Sequence, residues 1–393
     1  MTIAAPSYDA DFYSDEFIRN PWPHYERMRE LGSVVWMPQH ENYALTRYEA
    51  LESALRDHET FISGKGIAAD ARGNELTLGI RNGAASDGER HALIRSVTSE
   101  PLLPRALEDV RASIESAADE LVDAFVDKGE FNLMEKFASY MPLSIVTKLV
   151  GFPDFGRDNM LRWASAAFDL VGVQNARGSA AVEVFAEMRQ FLMNEIRPEN
   201  LIPGSWSRRI FDMVEAGKLP PEDTLVAIRN YVTPSLETTI SAIGQLVYRL
   251  GKNPDQWALL QQKPELVRGA VNEAMRIGTP ARSLARHTSR AVEVDGITIP
   301  ENARVMMVFA SANRDARVFP DPDRFDVTRP PRRHLSFGRG IHMCIGVHLA
   351  ELEMSSLLNA ILARVKEIRV GEPTMILNNT LYSFATLPAQ FIS

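Results

Sequence analysis

Cysteine is almost missing from this chain: 393 residues contain one, Cys344. A single thiol excludes an intramolecular disulfide and fits a reducing compartment. With no second cysteine and no His-rich spacing beside it, neither a zinc cage nor an iron–sulfur cluster can be built. Long apolar runs are missing too. Met1 to Phe17 carries Asp9, Asp11, Asp15 and Glu16 without a hydrophobic stretch, so the expectation is neither signal peptide nor spanning helix, and a cytoplasmic, unanchored protein. No Gly-x-Gly-x-x-Gly dinucleotide loop occurs, and no linker, low-complexity tract or repeat divides the chain, which reads as one domain over residues 1–393. Basic residues are outnumbered by acidic ones, 43 to 51, and the net charge of −8 argues against nucleic acid or anionic membrane as a bulk partner.

What is present is ordinary globular usage, 45% hydrophobic and 24% charged. Strand signals are few. Val34–Met37 and Tyr43–Thr46 flank His40-Glu41-Asn42, and Val292–Val294 meets Ile297–Ile299 across Asp295-Gly296. Segments 104–127, 134–150, 179–196, 222–250, 255–277 and 345–364 carry apolar stripes at helical spacing. The fold class is therefore mainly α with small β-sheets.

On residue type alone, Cys344 would be a small buried hydrophobe. Its setting points elsewhere. It lies in Phe337-Gly338-Arg339-Gly340-Ile341-His342-Met343-Cys344-Ile345-Gly346, where the glycines let the chain turn tightly and approach a flat ligand. Apolar residues from Ile345 to Leu362 then repeat at helical spacing, placing the thiol near a helix N-terminus, whose dipole and free N–H groups are expected to lower its pKa. A single axial thiolate on haem iron fits this better than zinc.

The run Phe-Gly-x-Gly-x-His-x-Cys-x-Gly resembles the haem-binding loop of the cytochrome P450 family, the haem-thiolate monooxygenases. Further motifs follow in that family's order from about residue 20 to the C-terminus. The resemblance implies the family's fold, a triangular-prism helical domain with a minor β region. It implies haem b with Cys344 as axial ligand and Phe337, Gly338 and Gly346 beside it. Glu273 and Arg276, three apart on one helix face, would alone be a surface ion pair; with Arg324 of Pro322-Asp323-Arg324-Phe325 they match the family's Glu–Arg–Arg network supporting the cysteine loop. His91 and Arg95, in Asp87-Gly88-Glu89-Arg90-His91-Ala92-Leu93-Ile94-Arg95, are similar to the family's Asp-x-x-x-His-x-x-x-Arg segment. Together with Arg286 and His342 they would meet the two propionates.

Ser235-Leu236-Glu237-Thr238-Thr239 resembles the family's acid–alcohol pair. Thr238 would hold dioxygen by hydrogen bonding and Glu237 would feed protons from solvent. Taken alone, Thr238 would bond its own i−4 carbonyl and Glu237 would sit in water. Pro234 departs from the small residues expected there, and should bend the helix and free the carbonyl of Asn230.

By resemblance the substrate pocket is lined by the stretch Phe61 to Ala85, by Phe168, Val171, Asn230, Thr233, Ser283 and Leu284, and by Tyr382 to Phe384. Asn378-Asn379-Thr380-Leu381 and the Gly338 to Cys344 loop look similar to those of bacterial class I enzymes that hydroxylate or O-demethylate small aromatic compounds, para-substituted benzoates among them. Arg81 and Arg229 are candidates for a substrate carboxylate, although each on its own reads as a surface charge. No fused reductase fits this length, so electrons from NAD(P)H should arrive through a separate reductase and an iron–sulfur ferredoxin or flavodoxin. The expected docking face is Arg329, Arg332, Arg333, His334 and Arg339. Two rivals stand beside this reading: a peroxygenase using hydrogen peroxide, and a non-catalytic haem-based ligand carrier or gas sensor.

Overall fold

Helices begin here where a side chain takes over an orphan backbone donor. Ser14, Asn175 and Ser205 each accept an N–H of the first turn of the helix that follows. The computed structural model describes residues 4–77, 83–331 and 333–393. The elements that position the site are strands β1 (Val34–Met37) and β2 (Asn42–Leu45), helix α1 (Tyr48–Arg56), strand β3 (Phe61–Ile62), and helices α2 (Gly88–Ser99), α3 (Pro104–Phe125), α4 (Asp154–Val171), α5 (Ala176–Asn194), α6 (Thr224–Arg229), α7 (Glu237–Lys252) and α8 (Val267–Gly278). Strands β4 (Leu284–Thr288) and β5 (Arg304–Met307) and helix α9 (Val347–Arg364) complete the set.

The five strands form one sheet in the order β1-β2-β5-β4-β3, with β2 and β5 parallel and the other pairs antiparallel. Its register sets Arg286 opposite Val305 and Leu284 opposite Met307. Leu284 and Arg286 therefore project from one face and Ala285 and His287 from the other. The Asp295-Gly296 hairpin forms as expected, both residues in the left-handed region. No described helix is long and apolar enough to cross a membrane.

The largest core lies among the helices, where Trp163 of α4 and Phe191 of α5 are 5.0 Å apart between ring centres. Helix α3 presents Leu107, Ile114, Ala118, Leu121 and Val122 inward at helical spacing. Its outer side is tied to α9 by Arg364, which pairs with Asp119 and Asp123 at 2.7 and 2.6 Å.

Three expected helices are interrupted. The segment expected at 134–150 starts as a π turn over Met134–Ala138 before helix Tyr140–Val150. Lys263-Pro264 divides 255–277, because the residue before a proline is kept out of the helical region. At 222–250 the interruption exceeds the expected bend: α6 stops at Arg229 and α7 starts at Glu237. Helix α4, which the sequence reading did not single out, spans 18 residues.

Candidate haem-thiolate site

The cysteine loop is closed on itself by backbone hydrogen bonds. Gly338 N–H donates to Leu335 O and Cys344 N–H to Phe337 O, each at 2.8 Å. Gly338 and Gly340 both have φ +68°, and a Cβ on Gly340 would come within 2.6 Å of the carbonyl oxygen of Leu55 in α1. Glycine is required at that contact.

Helix α9 begins at Val347, so Cys344 lies outside it, and the thiol is not lowered as expected. Burial pushes it up, opposed by the Gly346 amide and the Arg95 charge. Cys344 lies deep among protein atoms, yet its side chain is exposed. That exposed surface therefore faces a recess in the protein rather than its convex outside.

Behind the loop, Arg276 makes a bidentate pair with Glu273, Nε to Oε2 at 2.7 Å and Nη2 to Oε1 at 2.8 Å. Both side chains are buried, not on the surface as the bare spacing implied. The expected third member is corrected by the structure. Arg324 is exposed and contributes its carbonyl to Arg276 at 3.4 Å. Arg329 closes the network instead, Nε to Glu273 Oε1 at 3.0 Å. Arg276 Nη1 also donates to the carbonyls of Asn313 and Pro322, both at 2.8 Å. Asn313 Oδ1 in turn accepts Leu335 N–H at 2.7 Å and its Nδ2 donates to Ser336 Oγ at 2.9 Å, which ties the network to the loop.

The four cations expected for propionates share one region. His91 and His342 have ring centres 4.3 Å apart. His342 Nε2 approaches Asp87 Oδ1 only to 3.6 Å, and neither of its ring nitrogens has a hydrogen-bond partner among the described residues. Burial lowers His91 to about 4 and Arg286 to about 10. The Arg286 guanidinium donates only to Ala285 O, at 2.9 Å, among the described residues. Arg95 is pushed down by burial and supported by the Cys344 charge. Two buried arginines this short of anions, with two neutral imidazoles beside them able to donate hydrogen bonds, fit a group that brings two carboxylates, and a thiol facing a hollow fits an iron at its centre. Asp87, to which the sequence reading gave no role of its own, orders this wall: Oδ1 accepts Ser63 N–H at 2.9 Å beside its contact with His342.

At the helix break, Thr238 Oγ1 donates to Pro234 O at 2.9 Å, the local bond open to any helical threonine. Pro234 is exposed and Thr238 half-buried, whereas Glu237 is buried rather than solvated. Burial raises Glu237 to about 7, the Ser165 hydroxyl opposes that by hydrogen bonding, and the Asp169 charge adds to it.

The expected pocket residues do not form one set. Phe168, Val171 and Leu284 are half-buried, and Thr233 and Ser283 are buried. Asn230 Oδ1 accepts Gly83 N–H at 3.0 Å, so its amide anchors that turn. Tyr382 stands edge-on to Trp22 at 4.9 Å, and its carbonyl takes the Ser241 hydroxyl at 2.7 Å. Phe384 packs in the core against Tyr248 at 5.1 Å, three turns along α7 from Glu237. Tyr382 and Phe384 are thus packing residues. Arg229 is buried, not on the surface, with its guanidinium 4.8 Å over the Phe185 ring. Arg81, like part of the Phe61 to Ala85 stretch, lies outside the described residues.

The expected docking face is also revised. His334 is fully buried and lowered to about 3, hence neutral; Arg329 is engaged with Glu273; Arg332 lies outside the described residues. Beside the cysteine loop is a depression of about 560 Å³ lined by Glu49, Glu52, Arg56, Arg333, Arg339 and Met343, among others. Its charge is mixed, with Arg339 3.6 Å from Glu52.

A lone exposed thiol in a glycine loop, backed by a closed ion network and near two under-compensated arginines, fits the site of a haem-thiolate protein. Comparison with known proteins supplies the family. The cytochrome P450 profile matches residues 161–392. Cytochrome P450 CYP199A2 of Rhodopseudomonas palustris is 32% identical over 388 residues, 98% of this chain and 94% of its own. The 6-deoxyerythronolide B hydroxylase of Saccharopolyspora erythraea is 29% identical, covering 92% of each chain. Among solved structures, CYP109Q5 of Chondromyces apiculatus superposes with a TM-score of 0.81 at 28% identity over 98% of both chains. The chain belongs to the cytochrome P450 family of haem-dependent monooxygenases.

Proposed function

We propose that this protein takes two electrons from an iron–sulfur ferredoxin and O2 to hydroxylate or O-demethylate a small, hydrophobic, aromatic substrate. One observation carries the reading: the single thiol is exposed beside two under-compensated arginines and two buried histidines, in a chain whose buried Glu237 adjoins Thr238 at a helix break. Cys344 would ligate the iron, with Phe337, Gly338 and Gly346 shaping the loop. His91, Arg95, Arg286 and His342 would meet the propionates. Haem bound through a thiolate supplies dioxygen activation, the thiolate's electron donation favouring O–O cleavage.

Glu237 suits proton delivery, since an acid raised to about 7 both gives and regains a proton near neutrality. The Thr238 hydroxyl spends its hydrogen on Pro234 O and keeps its lone pairs for an incoming donor. Glu273, Arg276 and Arg329 hold the loop. Retention of Glu237 and Thr238 argues against a peroxide-only enzyme.

A carboxylate-bearing substrate of the benzoate type would find a buried cation in Arg229, the last residue of α6 before the break. Electron delivery would use the depression beside the loop, with Arg56, Arg333 and Arg339 meeting an acidic partner. NADH oxidation and product formation with a surrogate reductase and ferredoxin test this reading. Turnover of para-substituted benzoates is expected, falling about 100-fold in Glu237→Gln. Product formation from peroxide alone, indifferent to Glu237→Gln and Thr238→Ala, would overturn it. Benzoate affinity unchanged in both Arg229→Leu and Arg81→Ala would remove the carboxylate from the substrate.

A further inference from the structure

Three side-chain contacts fasten the chain just before the helix break to the helix that carries His91 and Arg95. Arg90 of α2 donates to Asp223 Oδ1 through Nε at 3.1 Å and Nη2 at 2.7 Å, and Asp223 immediately precedes α6. Past the other end of α6, Asn230 Oδ1 holds Gly83 N–H at 3.0 Å, and a Cβ on Gly83 would sit 3.2 Å from Asn230 Nδ2 and 3.4 Å from Ile94 of α2. The buried Tyr231 hydroxyl donates to Thr98 O at 2.9 Å, in the last turn of α2.

Beyond the break the chain belongs to a different body. Ser241 Oγ of α7 donates to Tyr382 O at 2.7 Å, and α8 packs so closely that a Cβ on Gly278 would stand 2.7 Å from Cγ of Gln245. Between the two bodies the backbone ladder lapses. Its last bond on the α6 side is Thr233 N–H to Arg229 O at 3.4 Å, and its first on the α7 side is Ile240 N–H to Leu236 O at 3.0 Å. Among the described residues only the Ser235 hydroxyl, on the carbonyls of Tyr231 and Val232, reinforces the join. A stretch so poor in backbone bonds is where relative motion is absorbed.

We propose that Asp223, Asn230 and Tyr231 are positioning residues that make α2 and α6 one unit, so that seating a dicarboxylate cofactor on His91 and Arg95 fixes where α6 ends and, across the break, where Glu237 and Thr238 stand. This rests on the roles given above to those four residues. The coupling is reciprocal: what holds α2 holds the break, and what loosens the break loosens α2. Arg90 is half-exposed, so its pair with Asp223 is the fastening most open to salt.

Hydrogen exchange followed by mass spectrometry on the haem-loaded protein tests this, with Tyr231→Phe and Asp223→Asn, each nearly isosteric. Each variant should speed exchange about 10-fold, for one lost hydrogen bond, at two places together, residues 83–99 and residues 230–236. Helix α7 beyond Ser241 should keep its parental rate. The decisive arms are the distant ones, Asp223→Asn reaching residues 230–236 and Tyr231→Phe reaching residues 83–99. Asp223→Glu, which keeps the anion, should restore the parental pattern. With a surrogate ferredoxin, the share of NADH recovered as product should fall in both variants while the reduced, carbon monoxide-bound Soret band stays in place. Exchange that rises only beside each substitution, or a product yield unchanged in both variants, overturns the proposal. If exchange behaves as stated while the unmodified protein shows no O2-dependent turnover, the function proposed above fails and the union of α2 with α6 stands.

Discussion

Two buried polar regions flank the cysteine loop and they are built on opposite terms. Around Glu273 and Arg276 every charge has its partner: two carboxylate oxygens meet Arg276 and Arg329, and the remaining arginine hydrogens meet carbonyls of Asn313 and Pro322. On the side of His91, Arg95, Arg286 and His342, two arginines and two histidines crowd together with Asp87 as the nearby anion, and burial depresses all four, leaving the histidines neutral. A network closed within the protein holds shape without a ligand. A region left open holds its charges at a cost of several kcal/mol unless a ligand supplies the missing anions. The contrast separates scaffold from site without reference to any relative.

The comparison breaks hardest at the scaffold. Arg276→Ala leaves Glu273 buried against Arg329 alone, and a loss of about 3–5 kcal/mol in unfolding free energy is expected from denaturant midpoints. Arg324→Ala, outside the network, should change stability by less than about 0.5 kcal/mol. On the open side the sign reverses: Arg286→Leu should leave the haem-free protein as stable as before or more so. Its haem should leave faster, about 10-fold or more by transfer to apomyoglobin, for loss of a charge-assisted hydrogen bond worth about 1.5–3 kcal/mol.

How far the two regions could be read from sequence follows the range of their interactions. The cysteine loop was legible because its glycines, its closing bonds and Cys344 all lie within ten residues. The sheet hairpin at Asp295-Gly296 was legible for the same reason. Arg324 was mistaken for Arg329 because both sit on one irregular segment, and only the tertiary path of Phe325 to Thr328 decides which side chain turns inward. Pro234 announced a disturbed helix. The seven residues it unwinds depend on Ser235 and Thr238 taking the carbonyls of Tyr231 and Pro234. The bonds from Asp223, Asn230 and Tyr231 to Arg90, Gly83 and Thr98 join segments distant in sequence, and no local pattern marks them. Tyr382 and Phe384 were placed in the pocket by position alone, whereas Trp22 and Tyr248 claim them.

A subtler probe is Glu353 in α9, buried with Oε1 unpartnered among the described residues and raised by burial to about 8. Its folded pKa exceeds the unfolded value near 4.5, so its contribution is fully present below about pH 4.5 and lost as pH rises through about 8. Glu353→Gln should therefore gain stability relative to the parent at pH 8.5 but not at pH 5, measured by urea unfolding at each pH. Smallest of all is the docking surface. Arg56→Glu with Arg333→Glu should slow reduction by a ferredoxin several-fold and flatten its salt dependence in stopped-flow traces.

The central claim is that Cys344 is the thiolate ligand of a haem held in the open region. The absorption spectrum of the dithionite-reduced, carbon monoxide-treated protein, taken beside Cys344→Ser, tests it most directly. A strongly red-shifted Soret band that disappears in the variant is the predicted result. A folded, haem-loaded protein whose Soret band is unshifted, or shifted alike with and without Cys344, would contradict it.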